Sequence, residues 1–303
     1  MIGCFGKLPA SADFVSLHGA ADEVCEFDAW LQAALAAMRH RDDWPTLFEH
    51  LPVCFFSYRA RNGNCLLGGL ISSKDASERR YPFFIFQLLK PQDGEPLVNP
   101  FTLGELFCAQ IKPLLHLAVQ GSSSAALFER IKALRPLQGQ DVDLFRRVHA
   151  KFLQDFSLRD IATALSGAYP TFDSHQALAR IQALAPLLHA DCEAGIGLPL
   201  PAERGLKNPT ADLWLTWLTR LNGGHLPPVS VLADDFLRPK LYCFPSRHST
   251  TAYRVLTGTC EAAQHHDLLP PGERHASAQL ADIDRPLDHV IDRCVDALDA
   301  TFV

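Results

Sequence analysis

Val53-Cys54-Phe55-Phe56-Ser57-Tyr58-Arg59-Ala60, Cys65-Leu66-Leu67-Gly68-Gly69-Leu70-Ile71-Ser72 and Phe83-Phe84-Ile85-Phe86-Gln87-Leu88-Leu89 are the stretches on which the fold turns. Each is short, rich in aromatic and aliphatic residues, and bounded by polar breaks, which reads as a β-strand. Arg61-Asn62-Gly63-Asn64 separates the first two. Asn-Gly is a strong hairpin signal, because the tight turn needs φ > 0 at its central residues. In the first and third strands both alternating faces are apolar, whereas a sheet with one wet face would carry polar residues at every second position. These strands therefore belong to a central sheet covered on both sides, a layered α/β sandwich.

Outward from this core, Ile2 to Phe5 reads as a further short strand, and Val229 to Leu232 and Lys240 to Phe244 as two more. Asp22 to Arg39 has helical spacing of Val24, Phe27, Ala34, Leu35 and Met38, ended or kinked by Asp42-Asp43-Trp44-Pro45. The middle of the chain predicts helices over Phe101–Gln120, Ala125–Leu134, Val142–Phe156 and Ser174–His189. In the third of these, Leu144, Phe145, Val148, Phe152 and Phe156 share one face; in the fourth, Leu178, Ile181, Leu184 and Leu188 form the stripe. Ser157 and Asp160 fit a capping box. Asn208-Pro209 reads as the start of a helix over Thr210–Leu221, with Asn222-Gly223-Gly224 closing it. A final helix runs from about Pro286 to Thr301. Breaks near 91–100, 195–209 and 268–273 read as loops, and no internal repeat is visible.

Composition narrows the function classes. The chain has 303 residues, enough for one large domain or two smaller ones. It is 48% hydrophobic and 20% charged, an ordinary globular balance. A net charge of -6 argues against a nonspecific nucleic-acid surface. The densest apolar run, Pro82 to Leu89, falls far short of the ~20 residues of a spanning helix, and no secretory leader pattern precedes it. The expectation is a cytoplasmic protein with no membrane insertion. The nine cysteines are odd in number, lack C-x-x-C spacing and mostly have apolar neighbours, so they read as buried free thiols.

No motif names a reaction. A G-x-S-x-G elbow, a Walker A loop, G-x-G-x-x-G and H-E-x-x-H are all missing. His265-His266-Asp267 looks like a metal cluster, but adjacent residues rarely face one ion, and a solvated loop is the preferred reading. No metal and no cofactor is expected. Two segments carry more. Gly6-Lys7-Leu8-Pro9 follows the first strand, where Gly permits a sharp turn and Pro fixes the exit. Ser73-Lys74-Asp75-Ala76-Ser77-Glu78-Arg79-Arg80 is a polar connection between two buried strands, and Asp75 is near enough in sequence to orient Arg79. Both segments lie at strand ends, so we expect them to meet at one end of the sheet. Lys7, Asp13, Asp75 and Arg79 would then form a small ion-pair cluster. Lys7, Asp13, Ser73, Asp75, Arg79 and Arg80 are thus the partner-binding or fold-fixing candidates. On the final helix, Leu287, Val290, Ile291, Cys294 and Leu298 make an apolar face. Asp288, Asp292 and Asp296 recur every four residues on another, a solubilising stripe or a secondary interaction candidate.

These two segments resemble the signatures of the TagF family, also called ImpM, associated with type VI secretion. The family opens with a strand, then Gly-Lys-Leu-Pro, a Gly-Asp-Phe and a helix containing Trp-Leu; here these are Gly6 to Pro9, Asp13-Phe14 and Trp30-Leu31. Its second signature is Ser-x-Asp, Gly-Arg, an aromatic and Pro, matched by Ser73, Asp75, Arg79, Tyr81 and Pro82; Leu213-Trp214-Leu215 matches a later aromatic helix. Ala12 and Glu78 stand where the family has glycines, and an Arg expected soon after the Phe is absent, with Ser16-Leu17-His18 in that region.

The resemblance implies a three-layer α/β/α sandwich with a mixed or antiparallel central sheet and additional helices. It also implies a TagF-like α/β domain over 1–258, with a helical insertion at about 120–190. Residues 259–303 would add a C-terminal loop and amphipathic helix. The implied role is non-enzymatic. It is that of a post-translational repressor of type VI secretion that acts by protein–protein contact, with a forkhead-associated (Fha-type) scaffold protein as partner. The competing reading is a hydrolase or transferase built on one of the Cys or His residues.

Overall fold

The computed structural model describes residues 1–91, 97–184, 187, 192–268 and 283–299. Its centre is a nine-stranded mixed sheet in the order β2-β1-β5-β4-β3-β7-β8-β6-β9. The strands are β1 Ile2–Gly6, β2 Val15–Leu17, β3 Cys54–Arg59, β4 Cys65–Ile71, β5 Phe83–Leu89, β6 Gly195–Pro199, β7 Val229–Ala233, β8 Lys240–Phe244 and β9 His265–Asp267. Neighbours pair antiparallel except β6 and β9, which are parallel.

Alternation along the central strands divides two cores. Phe83 and Ile85 of β5 face one side, and Phe84 and Phe86 face the other. The second side is covered by α1 Asp22–Met38, α2 Trp44–Glu49 and α9 Ala252–Leu256. There Phe27 stacks on Phe56 with ring centroids 4.4 Å apart. The first side is covered by α3 Pro100–Val119 and α8 Arg204–Leu221. Around these lie α4 Ser124–Lys132, α5 Gly139–Asp155, α6 Leu158–Leu165, α7 Ser174–Leu184 and α10 Leu287–Asp299. The arrangement is an α/β/α sandwich, as the doubly apolar strands require.

The Asn62-Gly63 hairpin forms, with Gly63 at φ 86, and the buried Glu23 of α1 accepts hydrogen bonds from the amides of Asn62 (2.8 Å) and Asn64 (2.6 Å). The capping box of α6 forms as well.

Several expectations are corrected. The segment 195–209 is not a loop: β6 fills it, and α8 starts at Arg204, so Asn208 is not its cap and Pro209 lies inside the helix. Gly195, Gly197 and Pro199 hide this strand from propensity, and at Gly197 a Cβ would meet the His265 ring at 2.7 Å, so a larger residue there would displace that ring. One lost ladder bond at Pro209 is outweighed by the nearly continuous burial of residues 210–219. His265-His266-Asp267 is an edge strand rather than a solvated loop, with Asp267 paired to Lys240 at 2.8 Å. On α5 the buried residues are His149, Phe152 and Leu153, whereas Leu144 and Val148 are exposed. The helix is turned because His149, hydrogen-bonded to Thr216 Oγ1 at 2.9 Å, occupies a core position that reads as polar. Leu188 and His189 lie outside the described residues, as do residues 300 and 301 and the Leu298 side chain.

Candidate functional site

β1 ends at Gly6, opposite Phe83 at the start of β5. This antiparallel register places Lys7 directly beside the connection from β4 to β5. Gly6 has φ 134, and a Cβ on it would lie 2.2 Å from the Pro82 carbonyl oxygen, so only glycine lets the two strands close here. The two signature segments therefore meet at one end of the sheet.

Asp75 is the centre of the junction. Its carboxylate is fully buried and accepts from Lys7 Nζ at 2.8 Å and Arg79 Nε at 2.7 Å. It also accepts from the backbone N–H groups of Ser77 (2.9 Å) and Arg79 (3.0 Å). Burial alone would raise this carboxyl, but the Lys7 ammonium and the N–H groups of Arg79 and Ser77 hold it well below the usual carboxylate range. Backbone bonds close the junction from both sides. Ser73 Oγ donates to the Lys7 carbonyl at 2.7 Å, Ala76 N–H to the Ser11 carbonyl at 2.9 Å, and Arg79 Nη2 to the Ala12 carbonyl at 2.6 Å. Arg79 still exposes 58% of its side chain.

The remaining candidates are placed differently. Arg80 pairs with Glu49 of α2, Nε to Oε1 at 2.8 Å. Asp13 does not enter the cluster: its carboxylate accepts from the N–H of Phe14 next to it, at 2.9 Å. Asp292 pairs with Arg220 of α8 at 2.5 Å, Asp288 accepts from the His289 N–H, and Asp296 is exposed. Leu287, Val290, Ile291 and Cys294 are fully buried beneath them.

Beside the junction runs a groove of ≈ 700 Å³, walled by α1, the start of α2 and the 73–80 connection. It contains Lys7, Arg79 and Arg80, together with Phe14, Arg39 and Trp44, which are not among the site candidates that the sequence offers. Arg39 and Trp44 lie across a helix break from each other, and no short motif links them to residues 73–80.

Five of the buried cysteines offer little nucleophilic character, whereas Cys25 is exposed and Cys192 and Cys260 are half-buried. Burial pushes the thiols of Cys4, Cys54 and Cys243 up to about 12 and those of Cys65 and Cys294 up to about 11. A thiol in that range is not a thiolate near neutral pH. Among the described residues, no group of three His, Cys, Asp or Glu side chains is placed to hold a metal ion, and no helix is long and apolar enough to cross a membrane.

No curated protein matches the chain. A solved structure, PA0076 from Pseudomonas aeruginosa PAO1, matches at 23% identity over 45% of this chain, with a TM-score of 0.38. The match spans 63% of that protein's length. Residues 3–134 match the family described as TagF N-terminal domain, type VI secretion system-associated, and cover both segments that meet at Asp75. The N-terminal region of the chain is therefore a TagF-family domain, associated with type VI secretion.

Proposed function

We propose that this protein is a cytoplasmic regulator of a type VI secretion system that restrains secretion by binding a component of the apparatus. An Fha-type forkhead-associated scaffold is the partner that the family resemblance suggests. The observation that carries this reading is the buried Lys7–Asp75–Arg79 junction inside the TagF-family region. A carboxylate with two cations and two backbone donors is a rigid device, and it fixes the conformation in which Arg79 and Arg80 reach the surface. Among the described residues, no nucleophile, base and orienting group are seen together around it. In this reading residues 1–258 form the TagF-like α/β domain, with 120–190 inserted into it and 259–303 appended. The acidic stripe of Asp288, Asp292 and Asp296 is a secondary contact surface.

The test is made in a cell with an active apparatus. Tagged wild-type protein should retain the scaffold protein, and raising its level should lower effector secretion. The Arg79→Ser variant should lose both effects while remaining folded. If wild-type protein retains no component of the apparatus and secretion is indifferent to its level, the reading is wrong.

A further inference from the structure

The groove beside the junction is lined by four cations, Lys7, Arg39, Arg79 and Arg80, and one carboxylate, Glu78, on a chain whose net charge is negative. Asp75 is one carboxylate shared by two cations, Lys7 and Arg79, which leaves one positive charge uncompensated. Arg80 is neutralised by Glu49, and Lys74 by Glu78 at 2.5 Å. Arg39 has no carboxylate partner among the described residues and rests 5.7 Å from the centroid of the Trp44 ring. Two uncompensated cations thus face one cavity.

The cavity also presents aromatic surface. Phe14 is 41% exposed although its ring is held on two sides, stacked on Phe5 at 5.3 Å and edge-on to Tyr81 at 5.1 Å. Trp44 is half-buried, with the guanidinium groups of Arg39 and Arg80 on its ring at 5.7 and 5.8 Å. Tyr81 is anchored in turn by its hydroxyl to Asp28. Rigid aromatic surface beside arginine is the composition of interface hot spots, and a cation stacked on a ring keeps its edge donors available for carboxylates. The volume is too large for a single small anion and suits a short stretch of chain.

We propose that this groove is the docking site for an acidic segment of a partner protein, which sets carboxylates against Arg39 and Arg79 and seats an aromatic side chain between Phe14 and Trp44. The inference rests on the reading of this protein as one that works by protein–protein contact, and it names the chemistry of that contact. The affinity then depends on charge, so it falls with added salt.

The test uses the full chain and a short fluorescein-labelled peptide of alternating Glu and Asp with one central Phe. Trp44 serves as an internal reporter, because Trp30, Trp214 and Trp217 are buried in the cores. The peptide should bind, shift the tryptophan emission, and bind more weakly as salt is raised. The same peptide with Gln and Asn in place of its acids should bind at least about tenfold more weakly. Arg39→Gln and Phe14→Ser should each weaken the acidic peptide by about tenfold, and both lie at the surface, so thermal melting should show them folded. Equal binding of the neutral peptide, or unchanged binding in Arg39→Gln, overturns the proposal. The two readings separate in the retention assay. Scaffold held equally by wild type and Arg39→Gln sinks the groove and spares the regulator. Acidic peptide bound through Arg39, with no secretion component retained, does the reverse.

Discussion

Glu78 sits at φ 62, in the left-handed region, at a position where the TagF pattern carries glycine. Its N–H donates to the Asp75 carbonyl at 3.0 Å, and Asp75 N–H donates to the Arg79 carbonyl at 3.2 Å, so the conformation is part of the turn that wraps Asp75. Holding a non-glycine residue there is disfavoured by about 1–2 kcal/mol. Glycine relieves this but enlarges the unfolded ensemble, which takes back about 0.4–1 kcal/mol. Replacing Glu78 also removes the exposed Lys74–Glu78 pair, worth only ~0–1 kcal/mol. Glu78→Gly and Glu78→Ala both lose that pair, so the difference between them isolates the backbone. The Gly variant should be the more stable by about 1 kcal/mol, which corresponds to about 2 °C in Tm for a chain of this size. Urea unfolding followed by tryptophan emission, with a thermal melt alongside, measures it. High salt should also close the gap between wild type and Glu78→Ala. An Ala variant as stable as the Gly variant would show that the turn is not held at positive φ and would refute the description of the loop.

Other consequences are independent of that turn. Gly6→Ala should destabilise by at least about 1–3 kcal/mol, because its Cβ meets the backbone at Pro82 and Phe83; a melt within error of wild type would contradict the strand closure. Lys7→Met should leave Asp75 with one cation. The wild-type carboxyl is depressed, so its contribution is present above the unfolded value of about 4 and lost as pH falls through the folded value. The variant should therefore lose more stability at neutral pH than in acid, and a uniform loss across an acid titration would argue against the junction. Asp212, fully buried on α8, accepts from the N–H groups of Phe101 (3.1 Å) and Thr102 (2.6 Å) at the start of α3, and burial pushes its carboxyl up to about 7. Here the folded protein keeps a proton that the unfolded chain has lost above about pH 4, so stability falls as pH rises toward 7, by on the order of 4 kcal/mol in all. Asp212→Asn should flatten that slope in chemical denaturation across the same range, and an unchanged slope would reassign it.

Legibility from sequence followed how local each signal is. The doubly apolar β3 and β5 and the Asn62-Gly63 turn are local, and they specify a covered sheet without further help. β6 was invisible because Gly195, Gly197 and Pro199 oppose strand propensity, and its pairing depends on β8 and β9 on either side. The buried face of α5 is not legible from apolar spacing, because the buried His149 carries no apolar signal. In the site, the meeting of Lys7 with residues 73–80 follows from two strand ends, whereas Arg39, Trp44 and Glu49 reach it only through the packing of α1 and α2.

The departures from the family pattern have a physical order of their own. Ala12 contributes its carbonyl to Arg79, and Glu78 contributes its N–H to the turn. Both positions hold the junction through backbone atoms, so a change of side chain there leaves those backbone hydrogen bonds in place and alters local strain and, at Glu78, the exposed pair with Lys74. Lys7, Asp75 and Arg79 are used through their charged groups, and all three match the pattern. A substitution that removes one of these charges breaks a buried contact, whereas one at Ala12 or Glu78 tunes the stability of the loop that presents Arg79. The divergence of this chain at its two signature glycines is therefore expected to move the stability of the junction more than its chemistry.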